Sequence, residues 1–159
     1  MKRTLTIFAV VFLTLAVSGV LRAQSDPFNG TWKLNLEKSK FNSGQPFKSD
    51  TRTYESSSDG FKVTVERVIA DGSNQPYAID AKYDGKDYPI TGQGPGGADT
   101  ISVKHVDANT TVSTLKKSGK VLFTTRTVVS KDGKVLTLTS KGVDSSGKPL
   151  NVVLIYDKQ

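Results

Sequence analysis

From Trp32 onward the chain alternates. Trp32, Leu34 and Leu36 fall on one side of an extended segment, and Lys33, Asn35 and Glu37 on the other. Phe61, Val63, Val65, Arg67 and Ile69 share a face opposite Lys62, Thr64 and Glu66. This is the period-two pattern of a strand with one buried side. Further runs of the same kind are Arg52 to Glu55, Tyr77 to Tyr83, Lys86 to Ile90, Thr100 to Val106, Thr110 to Lys116, Val121 to Ser130, Val135 to Lys141 and Leu150 to Tyr156. No stretch after Gln24 combines apolar residues at three-to-four spacing with helix caps.

Turn dipeptides separate the runs: Asp59-Gly60, Asp71-Gly72, Asp84-Gly85, Ser118-Gly119, Asp132-Gly133 and Ser146-Gly147. Such pairs supply the positive backbone angles of tight reversals, so sequence neighbours are expected to pair as hairpins. The expected fold is all-β, an antiparallel up-and-down β-barrel of about eight to ten strands, since closing the sheet removes both of its edges. An open β-sandwich is the alternative. The two longer connections, Lys38 to Asp50 and Gly92 to Asp99, are expected at barrel ends.

The first residues have a different character. Met1-Lys2-Arg3 is basic, Leu5 to Leu21 is almost wholly apolar, and Gln24-Ser25-Asp26-Pro27 is polar. That is the layout of a secretory signal peptide. Residues 1–23 are read as that signal and 24–159 as one barrel domain, with the product secreted or periplasmic and not stably inserted in a membrane. Removing Lys2, Arg3 and Arg22 takes the formal charge from +7 to +4, because all 15 acidic residues lie beyond them. That charge is small, and the lysines sit singly at turns. Nucleic acid is therefore not an expected partner, and a monomer is expected. The chain has no cysteine, so its core must hold without disulfides in an oxidising compartment.

Gly30-Thr31-Trp32-Lys33-Leu34 resembles the Gly-x-Trp start of the first strand in the calycin superfamily, which includes lipocalins and fatty-acid-binding proteins. Leu154-Ile155-Tyr156-Asp157-Lys158 is similar to the terminal strand of the fatty-acid-binding proteins, which commonly ends on Tyr-Glu-Lys. Most closely, the chain resembles bacterial exported proteins described as lipocalin-like. The resemblance implies a lipocalin-like barrel in which Gly30 and Trp32 form a structural plug at the closed end. It also exposes a departure. The fatty-acid-binding proteins clamp a carboxylate with Arg-x-Tyr on the last strand; Tyr156 matches the tyrosine, but Leu154 stands where the arginine would be. Fatty-acid specificity is accordingly not carried over.

Catalytic chemistry finds little footing. His105 is the sole histidine, and with no cysteine beside it neither zinc nor iron–sulfur ligation is expected. Ser113 to Lys116 and Ser145 to Lys148 match Ser-x-x-Lys, a spacing that works on a helix, whereas on a strand it puts the two side chains on opposite faces. Gly92 to Asp99 is glycine-rich but runs into a strand rather than a helix N-terminus, so it reads as a barrel-mouth loop and not a phosphate cradle. No catalytic residue, metal or cofactor is expected.

Candidate ligand-binding residues are Phe61, Arg67, Tyr77, Tyr83 and Phe123. Arg67 either snorkels to water from a barrel end or points inward to an anionic group. Tyr77, Ile79, Ala81 and Tyr83 form one row with polar tips, and Val121, Phe123, Thr125, Thr127 and Val129 mix apolar and hydroxyl groups on one face. The function expected is an exported, non-enzymatic binding or carrier protein for a small hydrophobic or amphipathic ligand. A cell-envelope interaction module with a filled barrel and recognition by its loops is the alternative. A calycin-like enzyme using His105 and Arg67 is the third reading.

Overall fold

The computed structural model describes residues 26–41 and 47–159. The segment read as a signal peptide lies outside the described residues. Ten strands form an up-and-down antiparallel ring: β1 (Gly30–Leu34), β3 (Phe47–Ser56), β4 (Gly60–Ile69), β5 (Tyr77–Lys82), β6 (Tyr88–Gly92), β7 (Thr100–Asp107), β8 (Thr110–Lys117), β9 (Lys120–Val129), β10 (Val135–Val143) and β11 (Pro149–Lys158). A two-residue strand, β2 (Lys40–Phe41), pairs with β11 beside the ring. The sheet closes where β1 meets β11, with Trp32 opposite Lys158 and Leu34 opposite Tyr156. Closure leaves the ring strands without a free edge, so the barrel is found and the sandwich is not.

Sequence alternation sets which side chains enter. Trp32 and Leu34 are buried on β1, Phe61, Val63, Val65 and Arg67 on β4, and Tyr77, Ile79 and Ala81 on β5. Leu36 departs from the expected pattern. The strand ends at Leu34, and Leu36 sits in the following turn, 42% exposed. The strand expected over Arg52 to Glu55 is longer than expected, and Asp50, assigned to a connection by sequence, lies within it.

A second departure lies in β9. Leu115 pairs with Phe123 and Lys116 with Val121, so Leu122 is the extra residue of a β-bulge. The bulge resets the alternation: Val121 is exposed, whereas Phe123, Thr125, Thr127 and Val129 stay buried.

Because the strands alternate in direction, the turns fall into two sets. The start of β1, the end of β11 and the turns around residues 57–59, 83–87, 108–109 and 130–134 lie at one end, the base. Residues 70–76, 93–99, 118–119 and 144–148 lie at the other, the mouth. The tight reversal at Ser118-Gly119 has φ of 48° and 78°, which is the geometry a two-residue hairpin turn requires. The expected mouth loop after Gly92 contains a single short 3-10 turn, Pro95–Gly97. Its Gly96 carbonyl accepts a hydrogen bond from the Ser145 amide of the β10–β11 turn at 2.8 Å.

Buried apolar residues form two groups. One runs from Phe61 on β4 round to Phe123 on β9. The other joins Phe28, Trp32, Leu136, Leu154 and Tyr156 along the closing seam.

Candidate functional site

The barrel interior is not filled by side chains. A cavity of about 640 Å³ lies within it, reaching from Phe28, Tyr54 and Tyr83 towards the base to Gln93, Gly96 and Asp144 at the mouth. Its apolar lining includes Phe61, Val63, Ile79, Ile101, Val103 and Phe123. A volume of this size suits a small organic ligand.

All five sequence-derived ligand candidates, Phe61, Arg67, Tyr77, Tyr83 and Phe123, line this cavity. Phe61 and Tyr83 are neighbours, with ring centroids 5.4 Å apart. Burial pushes the Tyr83 hydroxyl up to about 12. Arg67 does not snorkel. It is 5% exposed, and its Nε donates to Asp50 Oδ2 at 2.7 Å.

Trp32 is wholly buried near the base and lies outside the cavity lining. Its indole N–H donates to the Phe28 carbonyl at 2.8 Å, and the Lys158 ammonium stands 4.8 Å from its ring. Gly30 precedes it at φ 117°.

The feature absent from the sequence candidates is the group around Asp50. Inward positions of β3 carry Asp50, Arg52 and Tyr54 in alternation. Arg52 Nε and Nη2 donate to Asp50 Oδ1 at 3.1 and 3.0 Å, so one carboxylate serves two guanidinium groups. Tyr77 Oη lies 3.5 Å from Nη2 of both arginines. Arg67 also stacks 4.1 Å from the Phe47 ring, and Arg52 4.4 Å from the Tyr156 ring. Aromatic faces attract such cations and replace part of the hydration lost on burial.

Burial alone would push the Asp50 carboxyl up, but Arg52 and Arg67 together outweigh it and hold the group below the ordinary carboxylate range. For Arg52, burial works against the charged form, and Asp50 together with the surrounding Tyr156, Tyr77 and Tyr54 more than restores it. The cluster therefore stays ionised: two cations against one anion leave one positive charge inside the barrel. Arg52 and Arg67 both line the cavity. Tyr156 Oη is buried nearby, without a hydrogen-bond partner among the described residues, and burial raises its pKa well above the ordinary phenol value.

The remaining sequence features disperse. His105 is exposed near the base, its ring centroid 3.8 Å from that of Tyr83. Ser113 faces the cavity, while the Lys116 ammonium reaches Asp87 at 2.7 Å. Lys148 lies in the β10–β11 turn, where its amide donates to Asp144. Among the described residues no three histidine, cysteine or acidic side chains gather as a metal site would require. No protein-family model and no curated protein sequence matches the chain.

Proposed function

We propose that this protein is an exported, non-enzymatic carrier for a small, mainly apolar molecule with one anionic group, built on a lipocalin-like barrel of the calycin kind. The observation that carries the reading is the surplus positive charge of Arg52 and Arg67 over Asp50, set against a largely apolar cavity. Burying a cation without a counterion is costly. An acidic ligand would balance the charge and place its hydrocarbon body against Phe61, Ile79 and Val103. The closed ten-stranded ring, the Gly-x-Trp opening of β1 and the Tyr156 ending support the calycin kinship. Trp32 in this reading seals the base, as a large rigid side chain fills a tapering end.

The anchoring differs from the last-strand clamp of the fatty-acid-binding proteins. Leu154 takes the arginine position there, and the cations come from β3 and β4 instead.

Native mass spectrometry of protein purified from its own host tests the reading, together with titration by the anionic dye anilinonaphthalenesulfonate and the neutral dye Nile red. A molecule retained at one per chain, or saturable dye binding competed by apolar acids, is expected. Arg67→Met should weaken the anionic dye about ten- to hundredfold, the worth of a charge-assisted hydrogen bond, while Nile red binding persists. Absence of any retained molecule together with no saturable binding of either dye overturns the carrier reading.

A further inference from the structure

Opposite the cationic wall the barrel carries a second polar surface. Strands β8, β9 and β10 lie half-way round the ring from β3, β4 and β5. Their inward residues form two cross-strand rows. Thr111 on β8 faces Thr127 on β9, and in the next row Ser113 faces Thr125, which faces Ser140 on β10. All five are buried and all five line the cavity. Valine or alanine would fill these strand positions without desolvating a hydroxyl, so the chain has placed polar groups where packing alone does not call for them.

Internal hydrogen bonding accounts for only part of this surface. The Thr125 and Ser140 hydroxyls share a hydrogen bond at 2.7 Å, and Ser113 Oγ donates to the Thr125 carbonyl at 3.4 Å. The Thr111 and Thr127 hydroxyls have no side-chain hydrogen bond among the described residues, although both line the cavity. A hydroxyl both donates and accepts, so the row suits carbonyl and hydroxyl groups alike. Leu115 and Phe123 bound it on the mouth side, and Val129 and Leu136 on the base side. Its polar character is therefore confined to mid-barrel.

We infer that the ligand is a compact acid with a second hydrogen-bonding group, a hydroxyl or a ring carbonyl, at the end remote from its anion. Its rigid apolar body spans the barrel from the arginines of β3 and β4 to the hydroxyl rows of β8 to β10. This rests on the carrier reading above and narrows it. A straight-chain carboxylate would satisfy the arginines but lay methylene groups against Thr111 and Thr127. A site built to hydrogen-bond a ligand discriminates against the analogue that lacks the partner, because its own polar groups are then left unpaired.

Three acids of similar size separate the possibilities: hydroxynaphthoate with its hydroxyl on the ring distal to the carboxylate, unsubstituted naphthoate, and dodecanoate. Calorimetric titration of the full-length mature chain should rank hydroxynaphthoate about tenfold tighter than naphthoate, with dodecanoate weakest. The double variant Thr111→Val/Thr127→Val should bring the two naphthoates to equal affinity without weakening naphthoate. Thr127→Val alone, checked by its melting curve, serves if the double variant folds poorly, and should remove part of the ratio. Equal binding of the three acids, or an unchanged ratio in a folded variant, overturns the inference and leaves the hydroxyls holding water only. Dodecanoate binding best overturns it too while sparing the carrier reading. If none of the acids and neither dye binds, both fall together.

Discussion

Arg67 and Asp50 face each other across β3 and β4 as register partners, and their side chains meet at 2.7 Å inside the barrel. The same carboxylate is held by Arg52 from two residues along its own strand. Asp50 is thus the hinge-pin of the buried charges. Replacing it with asparagine keeps the shape but leaves two guanidinium groups without a counterion in a buried site. Asp50→Asn should lose about 3–5 kcal/mol of stability, read as a fall in the urea midpoint. A change under about 1 kcal/mol would place the pair in effectively aqueous surroundings and remove the basis for an internal cationic wall.

The same group gives the fold an acid limit. Asp50 has a folded-state pKa below its unfolded value. Its contribution is present above the unfolded carboxylate pKa of about 4 and is lost as pH falls through the lower folded value. Stability should therefore decline below about pH 4, and more steeply in the parent chain than in Asp50→Asn. Parallel acid slopes in the two proteins would contradict this.

At Gly142 the wall of the barrel leaves no room for a Cβ. It lies opposite Phe123 at φ 149°, and an added Cβ would come 2.3 Å from the Leu122 carbonyl oxygen and 2.5 Å from Phe123 Cα. The obstruction is backbone, next to the Leu122 bulge, so no side chain can swing aside. Gly142→Ala should cost about 2 kcal/mol or more and shift Phe123 at the cavity wall. Thermal unfolding checks the first effect and near-ultraviolet circular dichroism the second.

As the only tryptophan, Trp32 reports on the base alone. Its side chain is fully buried, so fluorescence should be blue-shifted and resistant to acrylamide. Trp32→Ala should destabilise by about 3–5 kcal/mol. Red-shifted, readily quenched emission from the native protein would mean the base is open.

The proposed export makes a separate prediction. Intact mass of the protein recovered from periplasm or medium should correspond to a chain beginning at Gln24. A full-length mass retained in the cytosol contradicts it.

The ring of hairpins was legible because Trp32, Phe61 and Tyr77 each head a clean alternation and Asx-Gly or Ser-Gly pairs fall between strands. Phe61, Tyr83 and Phe123 were found as cavity candidates for the same reason: the apolar parity of a strand tells which side chains enter. Asp50 and Arg52 were invisible to that logic. Their strand reads Asp-Thr-Arg-Thr-Tyr, polar on both faces, so no hydrophobic contrast distinguishes inside from outside. Arg67 betrayed itself by intruding on an apolar face, but its partner sits on another strand, and only the register of β3 against β4 brings the charges together. Val121 was misplaced because a bulge at Leu122 shifts parity by one, and nothing in the local composition announces it.

The seam between β1 and β11 also dictates a schedule. Ring closure joins strands from opposite extremes of the sequence, so no wall is complete until Tyr156 has left the ribosome. Until that pairing forms, the partly built sheet has two open edges, and the pairing is the longest-range one in the ring, hence slow to form. A protein with this seam should fold slowly, after synthesis, and lean on holdase chaperones until the ring has closed.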